Sequence, residues 1–305
     1  MKTALNFIRG SIATKELVPI LTHVHFSGER IQAFNGVTCV SYPFETDFDA
    51  AVPAKQFIKA VDICEGSPDI VSDGKSILVR RGSFKCKLPV EAETDFPEQD
   101  VTSGTRVDCP EDFLAVMVKL RGFVSEDASR PWSNGVKVMQ GMAYATNNVT
   151  LVRHPLNVAD VVLSIQLIDE MIRVRLQPEH LIVGDHEVTA VYDKGWIKGR
   201  IQTGEWPDVV TMLAEAAEGV AVPAGLYEAV VQVSSFSADG VVSFLGSQVS
   251  AGGAEVTMDA EFEAVAFQTV PLTTVLNVAE FFELTPTVTK FRGKGVVGMM
   301  ANVQV

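Results

Sequence analysis

Two hydrophobic patterns alternate along this chain. Stretches of about eleven residues carry apolar side chains three and four positions apart, as at Phe57, Ile58 and Val61, and this spacing predicts amphipathic helices. The runs between them alternate apolar and polar residues and are broken by glycine-bearing turns at intervals of about eight to twelve residues, which is typical of antiparallel strands. The pattern therefore predicts an α+β protein of short helices and antiparallel sheets.

One arrangement of helix and strands recurs. Residues 52–100 can be laid over residues 162–210: each stretch opens with a helical pattern, continues with short strands, and ends in an aromatic residue followed by proline. These endings are Phe96-Pro97 and Trp206-Pro207, and a third copy begins at Val270. Proline has no amide to give to a strand ladder, so it suits the place where one folded unit passes to the next.

A further helix followed by strands precedes each of these copies. The complete unit is therefore helix, strands, helix, strands, and it occurs three times. This repeat predicts three domains, which comprise residues 1–104, 105–212 and 213–305.

Composition and charge narrow the functional classes. The 305 residues are 47% hydrophobic and 21% charged, which is normal for a globular protein. The net charge of −13 excludes a uniformly basic nucleic-acid-binding surface. The predicted domains carry net charges of −3, −3 and −7, so the last one is the most acidic.

The sequence gives no sign of export or of a membrane segment. No apolar run approaches the roughly 20 residues that a transmembrane helix needs, and polar residues interrupt the first apolar stretch. The four cysteines form no CxxC pair and lie at no metal-binding spacing with histidine. We expect reduced thiols and a cytoplasmic location.

Three phrases of the sequence resemble the β sliding clamp, the processivity subunit of bacterial DNA polymerase III. They are "ELVPILTHVHF", "VPAKQFIKAVDICEG" and "GRIQTGEWPDVVTML", and their order and spacing extend the resemblance over essentially the whole chain. The chain is short and its sequence diverges from these family motifs, so it looks more like a clamp encoded by a bacteriophage than a chromosomal one.

The resemblance implies a fold and a function. The fold would be three repeated clamp domains, each with two helices packed on antiparallel sheets, closing into a ring as a head-to-tail homodimer. Such a ring encircles double-stranded DNA without reading its sequence, and it tethers DNA polymerase and the clamp loader through short peptides. The chain would be a non-catalytic processivity factor that needs no cofactor or metal.

Basic residues on the predicted helices are candidates for DNA contact, because lysine and arginine attract phosphate without regard to sequence. Lys55 and Lys59 are four residues apart and share one helix face. Lys15 falls where the resemblance implies a DNA-contacting arginine. The complete set is Lys2, Arg9, Lys15, Lys55, Lys59, Lys119, Arg121, Arg173 and Arg175. Because the two helices of the third domain contain no Lys or Arg, we expect an uneven positive potential.

The resemblance also implies an apolar peptide-binding groove, located between the middle and last domains and edged by the end of the chain. The matching positions are Thr146, Val149, Leu151, Pro207, Thr211, Met212, Met299, Met300, Val303 and Val305. Methionine-rich walls suit adaptable peptide binding. The chain reads "NNVTL" and "ANVQV" where the family carries polar anchors, so we expect the peptide that it recognises to differ.

Other motifs are weak. "GKGVVG", from Gly293 to Gly298, fits a dinucleotide-binding pattern, but too few residues follow for the helix that would hold a pyrophosphate, so a hairpin is expected. His23 and His25 lie on one strand face without an evident third metal ligand.

Two alternatives to a DNA-encircling clamp stay open. The first is a clamp-like interaction protein that competes for the partners of a host clamp without encircling DNA. The second is an enzyme with an unrecognised site, which would show a deep pocket with convergent polar groups.

Overall fold

The computed structural model of the protein describes residues 1–15, 18–91, 96–97, 99–202, 204–214 and 218–304. The helices are α1 (Lys2–Ile8), α2 (Ala54–Ile63), α3 (Phe113–Arg121), α4 (Ile165–Val174), α5 (Val209–Met212), α6 (Leu226–Ser234) and α7 (Thr269–Leu276). Within the described ranges, no helix is long and apolar enough to cross a membrane.

Strands make up most of the remaining regular structure. The first eleven are β1 (His23–Ser27), β2 (Arg30–Phe34), β3 (Thr38–Pro43), β4 (Asp49–Pro53), β5 (Asp69–Ser72), β6 (Ser76–Arg81), β7 (Phe84–Pro89), β8 (Thr105–Asp108), β9 (Gly135–Met139), β10 (Met142–Thr146) and β11 (Thr150–Pro155). The others are β12 (Val161–Ser164), β13 (His180–Val183), β14 (Glu187–Val191), β15 (Trp196–Arg200), β16 (Val220–Ala221), β17 (Val241–Ala251), β18 (Ala254–Gln268), β19 (Phe281–Leu284), β20 (Val288–Gly293) and β21 (Val296–Ala301).

Contacts within the chain divide it into two compact units. The first comprises Met1–Leu114 and Gln166–Ile201, and the second comprises Ala115–Ile165 and Gln202–Val305. Both units are discontinuous in sequence, because the chain leaves the first within α3 and returns to it at the start of α4.

The first unit is built on an eight-stranded antiparallel sheet with the order β4-β1-β2-β3-β15-β14-β13-β8. In the middle of the sheet β3 is hydrogen-bonded to β15, and we call this strand pairing a join. Thr38 lies opposite Gly199 there, and Ser41 lies opposite Trp196. The join therefore pairs a strand of the first predicted domain with a strand of the second.

The second unit repeats this arrangement. Its eight-stranded antiparallel sheet has the order β12-β9-β10-β11-β21-β20-β19-β16, and its central join is between β11 and β21. Here Thr150 lies opposite Met300. In each sheet, strands from the first half of one predicted domain meet strands from the second half of the next.

Two smaller sheets complete the described strands. β5, β6 and β7 form a three-stranded sheet in the first unit, and the long strands β17 and β18 form a hairpin in the second. These five strands belong to neither eight-stranded sheet. Because sheet hydrogen bonds cross the predicted boundaries at 104 and 212, the division into three domains stays a prediction.

The helices bury the apolar faces that the sequence pattern predicts. On α2, Phe57 and Val61 are buried while Lys55 and Lys59 are exposed. Phe57 packs edge-on against Phe26 of β1, with ring centroids 5.3 Å apart. Burying an aromatic side chain of this kind contributes roughly 1.5–3 kcal/mol. Amphipathic packing of this kind, rather than helix propensity, stabilises helices as short as these.

Phe96 and Trp206, the aromatic residues of the two repeated aromatic-proline endings, pack onto strands that precede them in the chain. Phe96 stacks on His25 of β1 with centroids 4.6 Å apart, and it joins a small cluster with Ile20 and Ala51. Trp206 packs on the buried Tyr144 and Leu151. The repeated aromatic-proline ending is therefore an anchor for the connecting chain.

The buried side chain of Lys198 fastens the connection after Pro97 to the first sheet. Lys198 lies on β15 and is only 7% exposed. Its Nζ donates to the main-chain carbonyl of Asp100 at 2.7 Å and forms an ion pair with Glu187 of β14. Met299 occupies the equivalent position in the second sheet. It lies opposite Leu151 of β11, just as Lys198 lies opposite Cys39 of β3.

Replacing Glu187 with alanine is expected to lower the free energy of unfolding by about 1–2 kcal/mol, because the Lys198 ammonium stays buried without its charged partner. The double variant K198M/E187A places methionine there, as the second sheet does, and should recover most of that loss. Urea unfolding followed by tryptophan fluorescence measures both. Equal losses in the single and double variants would contradict a role for the ion pair.

Candidate functional site

An apolar cavity of about 320 Å³ opens on the second unit. It lies where the β10–β11 turn, the strands β20 and β21, and the short helix α5 meet. Its lining residues are Trp132, Thr146, Asn148, Val149, Thr150, Leu151, Pro207, Met212, Val288, Met299 and Ala301. None of these side chains is charged, so the cavity suits an apolar side chain of a ligand.

The turn between β10 and β11 is fixed by its own side chains. The Oδ1 atom of Asn147 accepts hydrogen bonds from the amides of Val149 and Thr150, at 3.1 and 2.7 Å, and from the Thr150 hydroxyl at 2.8 Å. Asn148 has φ +68°, a conformation that asparagine adopts more readily than most residues. The turn therefore holds Val149 at the rim of the cavity without help from a ligand.

Helix α5 supplies the opposite rim. Asp208 caps the helix, and its carboxylate accepts a hydrogen bond from the amide of Thr211 at 3.1 Å. Hydrogen bonds from Thr211 hold the pKa of the Asp208 carboxyl below its usual value. The cap fixes the single turn of helix that presents Met212, whose side chain is 49% exposed.

Two tryptophans form an aromatic wall beside the cavity. Trp132 lies in a 3-10 turn, Pro131–Ser133, and meets Trp206 edge-to-face with centroids 5.5 Å apart. A Cβ atom at Gly204 would lie 2.7 Å from the Trp132 Cβ, so glycine permits this close approach. The Lys137 ammonium lies 5.9 Å from the Trp206 ring centroid.

Ten groove residues were predicted, and the structure describes nine of them. Six of these nine lie together around the cavity. Thr146, Val149, Leu151, Pro207, Met212 and Met299 line the cavity. Thr211 is exposed beside it, whereas Met300 is fully buried, as the alternation of β21 requires. Val303 bonds through its amide to the carbonyl of Ala266 on β18. Val305 lies outside the described residues.

Five lining residues were missed by the sequence reasoning: Trp132, Asn148, Thr150, Val288 and Ala301. Strand alternation could have found two of them, because Ala301 lies two residues after Met299 and directly opposite Val288. Trp132 carries no such signal, because a turn outside the regular elements places it.

Six of the nine predicted DNA-contacting residues are exposed. Lys2 and Arg9 lie at the ends of α1, Lys15 follows it, and Lys55 and Lys59 project from α2. Arg175 follows α4 with φ +60° and its amide bonds to the carbonyl of Met171. All six belong to the first unit.

Lys119 and Arg121, at the end of α3, make internal contacts instead. The Lys119 Nζ donates to the carbonyl of Lys294 at 2.5 Å and lies 3.2 Å from the His154 Nε2. It therefore links α3 to β11 and to the β20–β21 turn. Arg121 donates to Glu126 at 2.8 Å.

Arg173 on α4 caps another helix. Its guanidinium donates to the carbonyls of Asn6 and Phe7, at 2.7 and 2.5 Å, in the last turn of α1. It also bonds to Glu170 at 2.8 Å. A Cβ atom at Gly10 would lie 2.0 Å from the Glu170 carboxylate, so a larger residue there would displace the Glu170–Arg173 pair.

Apolar side chains are exposed on the helices of the third predicted domain. Tyr227 and Val231 project from α6, and Val270 is 75% exposed on α7. Neither helix contains Lys or Arg.

Among the residues that the structure describes, no three His, Cys, Asp or Glu side chains are grouped so that they could hold a metal ion. The "GKGVVG" segment forms the β20–β21 hairpin, with positive φ at Lys294 and Gly295.

The fold is that of bacterial DNA polymerase sliding clamps. The clamp of Pseudomonas aeruginosa, solved with a ligand, matches with a TM-score of 0.84 and 15% identity over 99% of this chain and 98% of that chain. The Bacillus subtilis clamp matches with a TM-score of 0.83 and 16% identity over 99% and 96% of the two chains.

A third match is the Helicobacter pylori β clamp bound to a DNA ligase peptide, with a TM-score of 0.82 and 12% identity over 100% of this chain and 97% of that chain. Neither protein-family models nor curated proteins gave a match. The predicted fold class is confirmed, and the bacteriophage origin stays a prediction.

Replacing Arg173 with alanine is expected to lower the free energy of unfolding by about 2 kcal/mol, because two helix-end carbonyls lose their donor and the largely buried Glu170 carboxylate loses its partner. Lys59→Ala is the matched control and should change it by less than about 0.5 kcal/mol. Urea unfolding measures both variants. If Arg173→Ala unfolds like the control, Arg173 is not a structural cap.

Proposed function

We propose that this protein is a DNA sliding clamp that encircles duplex DNA and tethers a DNA polymerase through a peptide-binding groove. The observation that carries the proposal is the match of the whole chain, not of one part, to bacterial sliding clamps. A ring that holds DNA by topology needs neither a catalytic centre nor contacts that read bases. The ring would be a head-to-tail homodimer whose three domains per chain end near residues 104, 212 and 305.

DNA contact would be concentrated on the first unit. Its exposed cations are Lys2, Arg9, Lys15, Lys55, Lys59 and Arg175, and these side chains can attract phosphates without fixing a sequence. The other three predicted contacts would not take part, because their side chains already form hydrogen bonds within the chain. They are Lys119, Arg121 and Arg173. Helices α6 and α7 would add no positive potential.

The apolar cavity on the second unit would receive the partner peptides. The H. pylori protein of the same fold was solved with a DNA ligase peptide, which supports a peptide as the ligand class. Met212 and Met299 provide adaptable walls, and Trp132, which packs edge-to-face on Trp206, adds rigid contact area. Because no lining residue is charged, affinity would come mainly from apolar side chains of the peptide.

Loading onto DNA tests encirclement. The protein, a bacterial clamp loader and ATP are incubated with nicked circular DNA, and the DNA is then linearised. We expect the protein to stay with the circle during gel filtration and to leave the linear DNA, because a ring slides off free ends. Protein that binds the loader but is never retained on the circle would instead be a competitor for clamp partners.

Replacing Met212 with aspartate tests the groove. A charge at this rim should weaken binding of a fluorescent clamp-binding peptide from a bacterial polymerase by at least about tenfold, or about 1.4 kcal/mol. Ala214→Asp adds the same charge at an exposed position just after α5, outside the cavity lining, and should leave the affinity within about twofold. Equal affinities of the two variants would rule out peptide binding in this cavity.

A further inference from the structure

One strand edge of the first unit is open at a place where the rest of the fold is covered. The three-stranded sheet has the order β5-β6-β7, so β5 is bonded to β6 on one side. None of the described residues forms a strand pair with the other side of β5. Such an edge presents main-chain N–H and C=O groups to which an extended chain can bond.

The equivalent strand of each eight-stranded sheet has a covering strand. The amide of Asp73 closes the β5–β6 hairpin on the carbonyl of Ser76. The amide of Gly184 closes the β13–β14 hairpin on the carbonyl of Glu187 in the same way, so β5 corresponds to β13. The outer side of β13 pairs with β8, and β19, which holds the same place in the second sheet, pairs with β16.

The covering strands share a position in the repeat. β8 precedes α3 and β16 precedes α6, which are the first helices of the second and third predicted domains. Among the described residues, no strand precedes α1. The outer side of β5 therefore corresponds to a position that a covering strand fills in the other two repeats.

β5 is more exposed than its covered counterpart. His180 and Leu181 of β13 are buried, whereas the equivalent Asp69 is exposed and the equivalent Ile70 is half-buried. Val71 of β5 is 45% exposed, although it is apolar. These are the side chains that an added strand would cover.

A cavity of about 540 Å³ follows this edge. Its lining comprises residues 68–71, residues 44–48 and Arg80 of β6. Successive residues of a strand point to opposite faces of the sheet, so a cavity lined by residues in an unbroken row follows the edge of the strand and not one face. The space beside β5 is therefore open to an extended segment.

The hairpin determines which main-chain groups face outward. The bond between Asp73 and Ser76 is 3.1 Å long, and hydrogen-bonded pairs alternate with non-bonded pairs along an antiparallel ladder. Ser72 and Ile70 are therefore in non-bonded pairs with β6, and their N–H and C=O groups point away from it. An added strand can bond to these four groups.

The charges beside the edge favour a cationic partner. Three exposed carboxylates line the cavity, and they belong to Glu45, Asp47 and Asp69. Arg80 is the one cation in the described lining, and its Nε lies 3.5 Å from the Asp69 carboxylate. Antiparallel pairing of two β5 edges would bring the carboxylates of two copies together, so these charges disfavour a second copy as the occupant.

We propose that the outer edge of β5 binds an extended segment of a partner protein, with alternating cationic and apolar residues, as an added antiparallel strand. β8 provides the template for the register. At the position of Asp69, β13 carries His180, which lies opposite Asp108 of β8. A cation is expected opposite Asp69 in place of this aspartate. The proposal goes beyond the clamp function and does not rest on it.

A fluorescent peptide tests strand addition. Its core, Thr-Arg-Val-Lys, keeps the first three residues of β8 and replaces the aspartate with lysine, so that its ends lie opposite Ser72 and Asp69. Anisotropy should show saturable binding that is at least about tenfold tighter than for the matched core Thr-Glu-Val-Glu. Absence of saturable binding, or equal binding of the two peptides, would overturn the proposal.

Methylation of single peptide amides separates strand addition from simple charge attraction. The valine amide of the core lies opposite Ile70 and bonds to the edge, so its methylation should abolish binding. The arginine amide faces away from β5, and its methylation should leave the affinity within about twofold. Equal effects of the two methyl groups would show that the peptide does not add as a strand.

Replacing Ser72 with proline tests the edge from the side of the protein. Proline removes an outward N–H group without breaking the ladder to β6, and we expect at least about tenfold weaker binding of the peptide. Ser72→Ala keeps that N–H group, loses the same hydroxyl, and should bind within about twofold of the original. Equal affinities of the two variants would contradict edge binding. If Ser72→Pro instead abolishes self-association in sedimentation velocity, a second copy is the occupant and the partner assignment is wrong.

Charge reversal tests the site while leaving β5 intact, so it decides the matter even if the proline variant does not fold. The variant E45K/D47K should weaken peptide binding at least about tenfold, and the loss should be smaller at high salt. D62K/E65K reverses two exposed carboxylates of the same unit outside the cavity lining, and it should change the affinity by less than about twofold. If both double variants bind the peptide equally well, the cavity beside β5 is not the binding site.

Discussion

Hydrogen bonding between strands that are distant in sequence is the constraint on which this structure depends. β3 pairs with β15 and β11 pairs with β21, so that strands of successive repeats share one ladder. A buried main-chain polar group without a partner is costly, and a sheet edge in the middle of the molecule would leave a row of them. The joins satisfy these groups, because each one makes a continuous eight-stranded ladder.

The two joins are equivalent in backbone geometry but not in chemistry. At one position the first sheet carries Lys198, paired with Glu187 and with the Asp100 carbonyl, and the second carries Met299 at the wall of an open cavity. The ion pair fastens the chain that crosses over it, whereas methionine leaves an apolar surface free. This difference leaves an open apolar cavity beside one join and a fastened connection beside the other.

Charge is used in two distinct ways along the chain. Arg173 donates hydrogen bonds to carbonyl groups at a helix end, and Lys119 donates one to a carbonyl group in a turn. Both side chains thereby stabilise the fold. The cations of α1 and α2, in the first unit, are exposed to solvent, and so are carboxylates of β18, which belongs to the second unit. Net charge alone does not separate these uses, because hydrogen-bond partners determine whether a cation is available to a ligand.

The sequence by itself determined the features that depend on neighbouring residues. The apolar face of α2 and the exposed pair Lys55 and Lys59 follow from the helical repeat, and the hairpin at Lys294 and Gly295 follows from turn chemistry. The repeat predicted three equivalent units, and the phrases shared with sliding clamps predicted the fold. These are local signals, or signals that recur at a fixed spacing, and they can be read without coordinates.

Only the tertiary structure decided which distant residues meet. Arg173 reaches the end of α1, 166 residues away along the chain, and Trp132 reaches the cavity from a turn that no periodicity marks. The two joins cross the domain boundaries that the repeat predicts, because the lowest-energy partner of an edge strand need not belong to its own repeat. Sequence patterns fix which face of an element is apolar, but the pairing of edges and the fate of each charge depend on what lies opposite in space.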